Sequence, residues 1–381
     1  MEKTGTSFIS SISIKNFTVF KDVKIDFSKG INFIIGDNSS GKTNLIKLLY
    51  STTSYINIYE KNFIHTDKYK QDFFIHTYKD KQEYFIHTDK DKYIKEKILS
   101  NEILEIYKAD EIKNLCKNGK LEISTEFKDS VDNIQFFEYS YSNENSDVIT
   151  IETLEEYKIF PDSIFIPVKE VLSFSAGFID FYENHESDFD KTYYNLIKAL
   201  IRYPLKAESE KYKKVEHLLI PLRNILGGEI KLKGNKFYLI YENQKEREIS
   251  LIAEGHRKIA MLYHLIKTDN LKEGSVLFWD EPDSSLNPRL IVPLAKVLVE
   301  LSKFGIQIFI TSHNLFFMNE MELLRKEDTS FPIKFFSLKK QEDEVVVEEG
   351  NEMIDLKTID SLDEALRQDD REQELFIKEI K

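Results

Sequence analysis

Apolar positions early in the chain recur with a period of two: Ile12, Ile14 and Phe17, then Val23, Ile25 and Phe27, on either side of Phe20-Lys21-Asp22. That period predicts two strands joined by a short turn. Ile31-Asn32-Phe33-Ile34-Ile35 is a compact apolar run, suited to a strand buried on both faces of a largely parallel sheet. After a glycine-containing segment, Leu45, Ile46, Leu48 and Leu49 open a helix over Asn44 to Tyr50. A second buried strand is expected at Ser163-Ile164-Phe165-Ile166-Pro167. Residues 188–226 are helix-like, with apolar Tyr194, Ile197, Leu200 and Ile201 and an interruption at Tyr203-Pro204. Gly227-Gly228 ends that helix, and Glu229 to Tyr241 reads as a hairpin around Lys233-Gly234-Asn235. From Ser250 onward helix and strand alternate: helix Arg257–Ile266, strand Val276–Trp279, helix Arg289–Lys303, strand Ile306–Ile310.

The block from about 55 to 160 is different in character. Phe63-Ile64-His65-Thr66, Phe74-Ile75-His76-Thr77 and Phe85-Ile86-His87-Thr88 repeat every eleven residues, each followed by Lys/Asp-rich sequence. Each unit reads as a short strand with a charged turn. Three equally spaced histidines do not by themselves converge on a metal, so a duplicated hairpin or ribbon face is the expected reading. Leu121 to Phe127 and Ile134 to Tyr141 suggest further antiparallel strands. Beyond Gln341 the chain is acidic, and Ser361 to Lys381 carries a moderately amphipathic helical pattern.

Composition narrows the class. With 381 residues, 41% hydrophobic and 31% charged, the chain has enough apolar material for a sizeable core and a well-solvated surface. A single cysteine, Cys116, excludes an internal disulfide and a cysteine-based zinc cluster, and fits a reducing, cytoplasmic setting. The N-terminal residues lack the pattern of a secretory signal, and no run of about eighteen apolar residues predicts a membrane span. The net charge of −13 argues against a chain uniformly coated for nucleic acid, while leaving room for a local basic patch.

The chemistry begins at Gly36-Asp37-Asn38-Ser39-Ser40-Gly41-Lys42-Thr43, which fulfils G-x-x-x-x-G-K-[ST] between a predicted strand and helix. Glycines let the backbone fold so that successive N–H groups point at phosphate oxygens. Lys42 supplies charge to the β- and γ-phosphates of ATP, Thr43 offers a hydroxyl to Mg²⁺, and the helix adds its positive end. Val276-Leu277-Phe278-Trp279-Asp280-Glu281 is an apolar strand ending in paired acids. Asp280 is expected to serve Mg²⁺, directly or through water, and Glu281 to orient or deprotonate the attacking water. Two carboxylates on an apolar strand cost desolvation energy unless a cation or partner offsets it.

Asp283-Ser284-Ser285-Leu286-Asn287-Pro288 follows at once, and Ile308-Phe309-Ile310 runs into Thr311-Ser312-His313. Together these stretches resemble the Walker B motif, D-loop and switch histidine of ABC-type ATPases, which pair head to tail. The resemblance implies that His313 senses the γ-phosphate and that Asn287 lies at the dimer junction. In that family an L-S-G-G-Q-like turn closes the partner's nucleotide site. Here Ala253-Glu254-Gly255 stands in that place, with one glycine kept and alanine in place of serine. Arg257 and Lys258, just beyond, leave two readings open: charge for the site, or a solvated helix face. No Q-loop glutamine is assigned.

With Ile14 to Phe20 and Phe165-Ile166-Pro167-Val168-Lys169-Glu170, these motifs are similar to those of the RecF/SMC-related AAA ATPases of bacterial phage defence. That group includes the ATPase subunits of PARIS and abortive-infection pairs and the ATPase half of overcoming-lysogenization-defect nucleases. The resemblance, over residues 8 to 340, implies an α/β fold: an ABC-type P-loop NTPase core at 1–54 and 160–340, with a helical and signature subdomain at about 185–265. A β-rich insertion occupies 55–159 and an acidic, partly helical tail 341–381. It implies ATP and Mg²⁺ as ligands and Phe17 or Phe20 near the adenine. Lys169 remains open between a role at the site and a surface ion pair. About a hundred residues follow the paired acids, too few for the TOPRIM domain of those nucleases, and no long heptad coiled coil is present.

The expected function is therefore an ATP-binding and hydrolysing subunit, slow turnover included. It is expected to form a homodimer across nucleotide, with a higher oligomer left open, and to control a separate effector, such as a TOPRIM-type nuclease, in antiviral defence. Two other readings stay open: a RecF-like DNA-binding repair ATPase, and a nucleotide-gated scaffold with little turnover.

Overall fold

The computed structural model describes residues 7–59, 90–144, 147–154, 161–342 and 344–380. The three His-containing repeats, expected as strands, lie outside the described residues. The site is organised by a six-stranded sheet. Its strands are β3 (Ile31–Gly36), β7 (Ser163–Ile166), β11 (Val276–Asp280), β12 (Gln307–Thr311), β13 (Ile333–Gln341) and β14 (Glu344–Gly350). They lie in the order β14-β13-β3-β12-β11-β7, parallel throughout except for β14, which runs antiparallel to β13.

Alternate side chains of these strands enter two different cores, as the pleat of a doubly covered sheet requires. Phe33, Leu277, Trp279, Ile308 and Ile310 face one core, formed with α4 (Lys191–Leu200), α5 (Glu210–Leu226), α6 (Glu254–Lys267) and α7 (Pro288–Lys303). Ile34, Val276, Phe278 and Phe309 face the other, formed with α1 (Lys42–Tyr59), α2 (Lys90–Tyr107) and a second sheet. That second sheet is antiparallel, in the order β2-β1-β4-β5-β6. It comprises β1 (Phe8–Phe17), β2 (Phe20–Asp26), β4 (Lys120–Lys128), β5 (Ile134–Ser142) and β6 (Thr150–Leu154). Beyond the end of α1, the described part of the 55–159 block holds α2, a short 3-10 turn at Ile112–Leu115 and three strands, and β4 pairs directly with β1, from Phe8↔Lys128 to Lys15↔Glu122.

Two local expectations change. Phe20-Lys21-Asp22 belongs to β2 rather than to the turn; the reversal falls at Thr18-Val19, with Asn16 and Thr18 in the left-handed region (φ 56° and 46°). The acidic residues after Gln341 form β14, which pairs with β13 through Phe335↔Gly350, so the core sheet extends past the boundary set at 340. Glu344, Glu348 and Glu349 leave β14 charged and largely solvated, as suits a strand at the edge of a sheet.

The remaining helical unit follows its end signals. Ser209 caps α5 by accepting from the Tyr212 amide, and Gly227 closes it at φ 67°. A three-stranded sheet, β8 (Gly228–Lys233), β9 (Lys236–Tyr241) and β10 (Glu246–Glu248), leads into α6. The remaining helices are α3 (Phe178–Asn184), α8 (Leu315–Glu327) and α9 (Asp360–Ile380). No described helix is long and apolar enough to cross a membrane.

Candidate nucleotide site

Because β3, β12, β11 and β7 are parallel neighbours, their carboxyl ends share one edge of the sheet, where open α/β sheets bind ligands. From those four ends come the phosphate loop, Thr311-Ser312-His313, Asp280-Glu281 and Pro167 to Glu170.

The loop from Gly36 to Thr43 turns through Ser39 (φ 65°) and Gly41 (φ 94°) into the first turn of α1. Gly41 is held where a Cβ would stand 2.6 Å from Val19 Cγ2 and 3.0 Å from Phe20 Cζ, so a side chain is barred by conformation and by space. Lys42 is buried, and its Nζ donates to the carbonyls of Gly36 (2.7 Å) and Asp37 (2.9 Å). Burial pushes its pKa down, against the pull of Glu281, Asp280, Asp37 and Asp360. The Ser40 hydroxyl is buried without a hydrogen-bond partner among the described residues.

Asp280 is the hub. Thr43 Oγ1 donates to its Oδ2 at 2.9 Å and Oδ1 at 3.1 Å, and the Thr311 hydroxyl donates to Oδ1. Burial pushes the Asp280 carboxyl up; the bonds from Thr311 and Thr43 oppose this, and the Glu281 charge adds to it. One step on, Glu281 adopts φ 47°, its amide donating to Thr311 Oγ1 (3.1 Å) and to the Thr311 carbonyl (3.2 Å). That turn brings the Glu281 carboxylate within 3.3 Å of His313 Nδ1. Asp283 is buried and accepts from Ser312 Oγ at 2.9 Å; burial raises its pKa as well.

A hydroxyl facing a buried carboxylate at the lip of a phosphate loop is an all-oxygen donor pair suited to Mg²⁺. Lys42 and the orphaned Ser40 hydroxyl stand on the same loop. These residues fit a Mg²⁺-bound nucleoside triphosphate.

The remaining expected residues sit in differing surroundings. Phe17 and Phe20, which the resemblance put near the adenine, are both buried in the core, with Phe20 packed behind Gly41. Val19, partly exposed, is the residue of that turn closer to solvent. Asn287 is exposed and caps α7, its Oδ1 accepting from the Leu290 amide at 3.1 Å. Lys169 is exposed and makes no ion pair among the described residues. The segment it belongs to is tied down by Glu170, which pairs with Arg257 Nε at 2.8 Å.

Ala253 and Glu254 are exposed at the start of α6, while Gly255 is buried against Ser285 and Leu286. Ala253 occupies the N-cap without any side-chain bond to the helix. Neither Arg257 nor Lys258 lies on a solvated face: Arg257 binds Glu170, and Lys258 is 0% exposed. Sequence reasoning missed Thr311 and Asp283 as site residues; their place inside the D-E-P-D and T-S-H stretches was the available signal. It also missed Asp360, whose carboxyl is pushed up by burial and by Asp37 of the phosphate loop. Nothing in its local sequence pointed there.

Comparison with known proteins places this geometry. In short matches the chain resembles DNA replication and repair protein RecF, at 46% identity over 43 residues for the Oenococcus oeni protein and 36% over 64 residues for one from Streptococcus pneumoniae. The chain covers 12% and 18% of those relatives' lengths. Among solved structures, the Smc head domain with an extended coiled coil from Pyrococcus furiosus, bound to the C-terminal domain of ScpA, aligns over 96% of this chain and 100% of its own. The TM-score is 0.51 at 13% identity. The Smc head domain with a coiled coil and joint from Pyrococcus yayanosii gives the same coverage and a TM-score of 0.51 at 10% identity. At such identity the likeness is one of fold: an SMC-head, ABC-type α/β architecture. The family model described as "AAA domain, putative AbiEii toxin, Type IV TA system" matches residues 31–319, from β3 into the first turns of α8. The chain belongs to that AAA-domain family.

Proposed function

We propose that the chain binds ATP with Mg²⁺ at Gly36–Thr43 and hydrolyses it, working as a nucleotide-bridged homodimer that controls a separate effector in defence against phage. The observation that carries the chemical part is the junction of Thr43, Asp280 and Thr311, with Glu281 turned toward His313 beside it. Lys42 and the loop amides would hold the β- and γ-phosphates, and Thr43 and Asp280 would hold Mg²⁺. The metal supplies charge neutralisation on the phosphate oxygens when bound. Glu281 accepts the proton of the attacking water as the bond to the leaving β-phosphate oxygen breaks. Its backbone is fixed from the neighbouring strand by Thr311, so the carboxylate is aimed by the sheet rather than by a loop. His313, exposed beside Glu281, reads the γ-phosphate.

Dimerisation rests on the exposed Ala253-Glu254 turn, whose position at the start of α6 suits it to close a partner's nucleotide. The effector reading draws on the family description, which names a toxin–antitoxin system. The RecF segments favour a second reading, a DNA-binding repair ATPase, and salt-sensitive duplex-DNA binding by the purified protein would support it instead. Steady-state phosphate release decides the enzymatic claim: turnover that requires Mg²⁺ and disappears in Lys42→Ala is expected. Absence of turnover in the native protein would leave the scaffold reading.

A further inference from the structure

Lys258 is withdrawn from solvent, and among the described residues its ammonium has no carboxylate within ion-pair distance. Its Nζ donates to the Glu281 carbonyl at 3.0 Å and to the Ser284 hydroxyl, and that hydroxyl also donates to the Glu281 carbonyl at 2.9 Å. A buried ammonium served by neutral acceptors is a poor device for stability alone, since a methionine fills similar space without the desolvation cost. Burial lowers its pKa, while Glu254, Asp283, Glu281 and Asp280 act to keep it charged.

The placement is specific. Lys258 lies one turn after Gly255 on the same face of α6. Gly255 touches Ser285 and Leu286, and Lys258 grips Glu281 and Ser284. One face of α6 is therefore fitted against Glu281 and residues 284–286. The grip falls on the peptide of Glu281, the residue held at φ 47°.

We propose that Lys258 is a positioning residue for hydrolysis: it fastens the α6 turn offered to a partner's nucleotide to the backbone of this protomer's own Glu281. Closure of one site thereby sets the carboxylate of the other. The inference rests on the ATPase reading above, and its test separates the two.

Lys258→Met and Ser284→Ala are made in the full chain and compared with the native protein for turnover, fluorescent-ATP binding, and hydrogen exchange of the 281–286 amides. In Lys258→Met, kcat falls by at least about tenfold while KM and nucleotide affinity stay within about threefold, because a displaced general base costs rate rather than binding. Exchange at 281–286 speeds up by about tenfold or more, and Ser284→Ala shows both effects more weakly. Should Lys258→Met fail to fold, Ser284→Ala carries the test alone. Unchanged kcat with unchanged exchange overturns the proposal, as does a loss confined to KM or matched by lost affinity. If the native protein does not turn over ATP, the enzymatic reading fails, and the exchange measurement alone then decides whether Lys258 holds Glu281.

Discussion

The hydroxyl of Thr43 lies 2.9 Å from Oδ2 of Asp280, joining the phosphate loop to a strand end 237 residues away in the chain. In the proposed function these two residues share a Mg²⁺ ion. Asp280→Asn keeps the shape and one acceptor oxygen but removes the charge. Its ATP affinity in Mg²⁺ is expected to fall by roughly tenfold, about 1.4 kcal/mol, while affinity in EDTA changes little. Titration of fluorescent ATP with and without Mg²⁺ measures both; an equal loss in both conditions would remove Asp280 from the metal site.

Gly255 has no room for a side chain. A Cβ there meets Leu286 Cδ2 at 2.6 Å and the Ser285 carbonyl oxygen at 2.8 Å. Gly255→Ala should lower stability by about 1–3 kcal/mol through overpacking, despite the better helix propensity of alanine. Thermal unfolding gives the answer, and an unchanged or raised midpoint would show that 281–286 yields freely.

Ala253 leaves the N-cap of α6 unused. Ala253→Ser supplies an acceptor for the first free amides of the helix and should stabilise the protein by about 1 kcal/mol. If the same turn closes a partner's nucleotide, the serine also strengthens ATP-driven dimerisation. Stabilisation without tighter dimerisation would limit Ala253 to a capping position.

His264 sets a pH dependence. It is buried, its Nε2 donates to the Leu200 carbonyl at 2.8 Å, its Nδ1 has no partner among the described residues, and burial lowers its pKa to about 4. In the unfolded chain the ordinary value of 6.5 applies. Between these values the unfolded state binds the extra proton, so stability falls as pH drops from about 6.5 toward 4, by up to roughly 3 kcal/mol from this group. His264→Gln keeps a donor for Leu200 and should flatten that part of the stability–pH curve. An equally steep curve in the variant would assign the slope to other groups.

The residues legible in sequence were those whose chemistry sits beside a strong local period. Ile31–Ile35 and Val276–Trp279 read as buried strands because apolar runs ended in a glycine loop or paired acids, and both lie in the core sheet. β14 was hidden because a charged, largely solvated edge strand has the composition of an acidic tail. Lys258 stayed ambiguous because a charged residue on a helix is usually solvated; only α6 packing along 281–286 shows which face it occupies. Phe20 was put near the adenine by the resemblance alone; the turn falls two residues before Phe20-Lys21-Asp22, and the ring enters the core.

The central claim, an ABC-type site completed by a second copy, is tested most directly by Glu281→Gln, with and without ATP and Mg²⁺, measured by light scattering beside phosphate release. The account predicts turnover reduced by about a hundredfold or more and a stable ATP-bound dimer that the nucleotide-free protein does not form. A variant that remains monomeric with ATP, or that hydrolyses at the native rate, contradicts it.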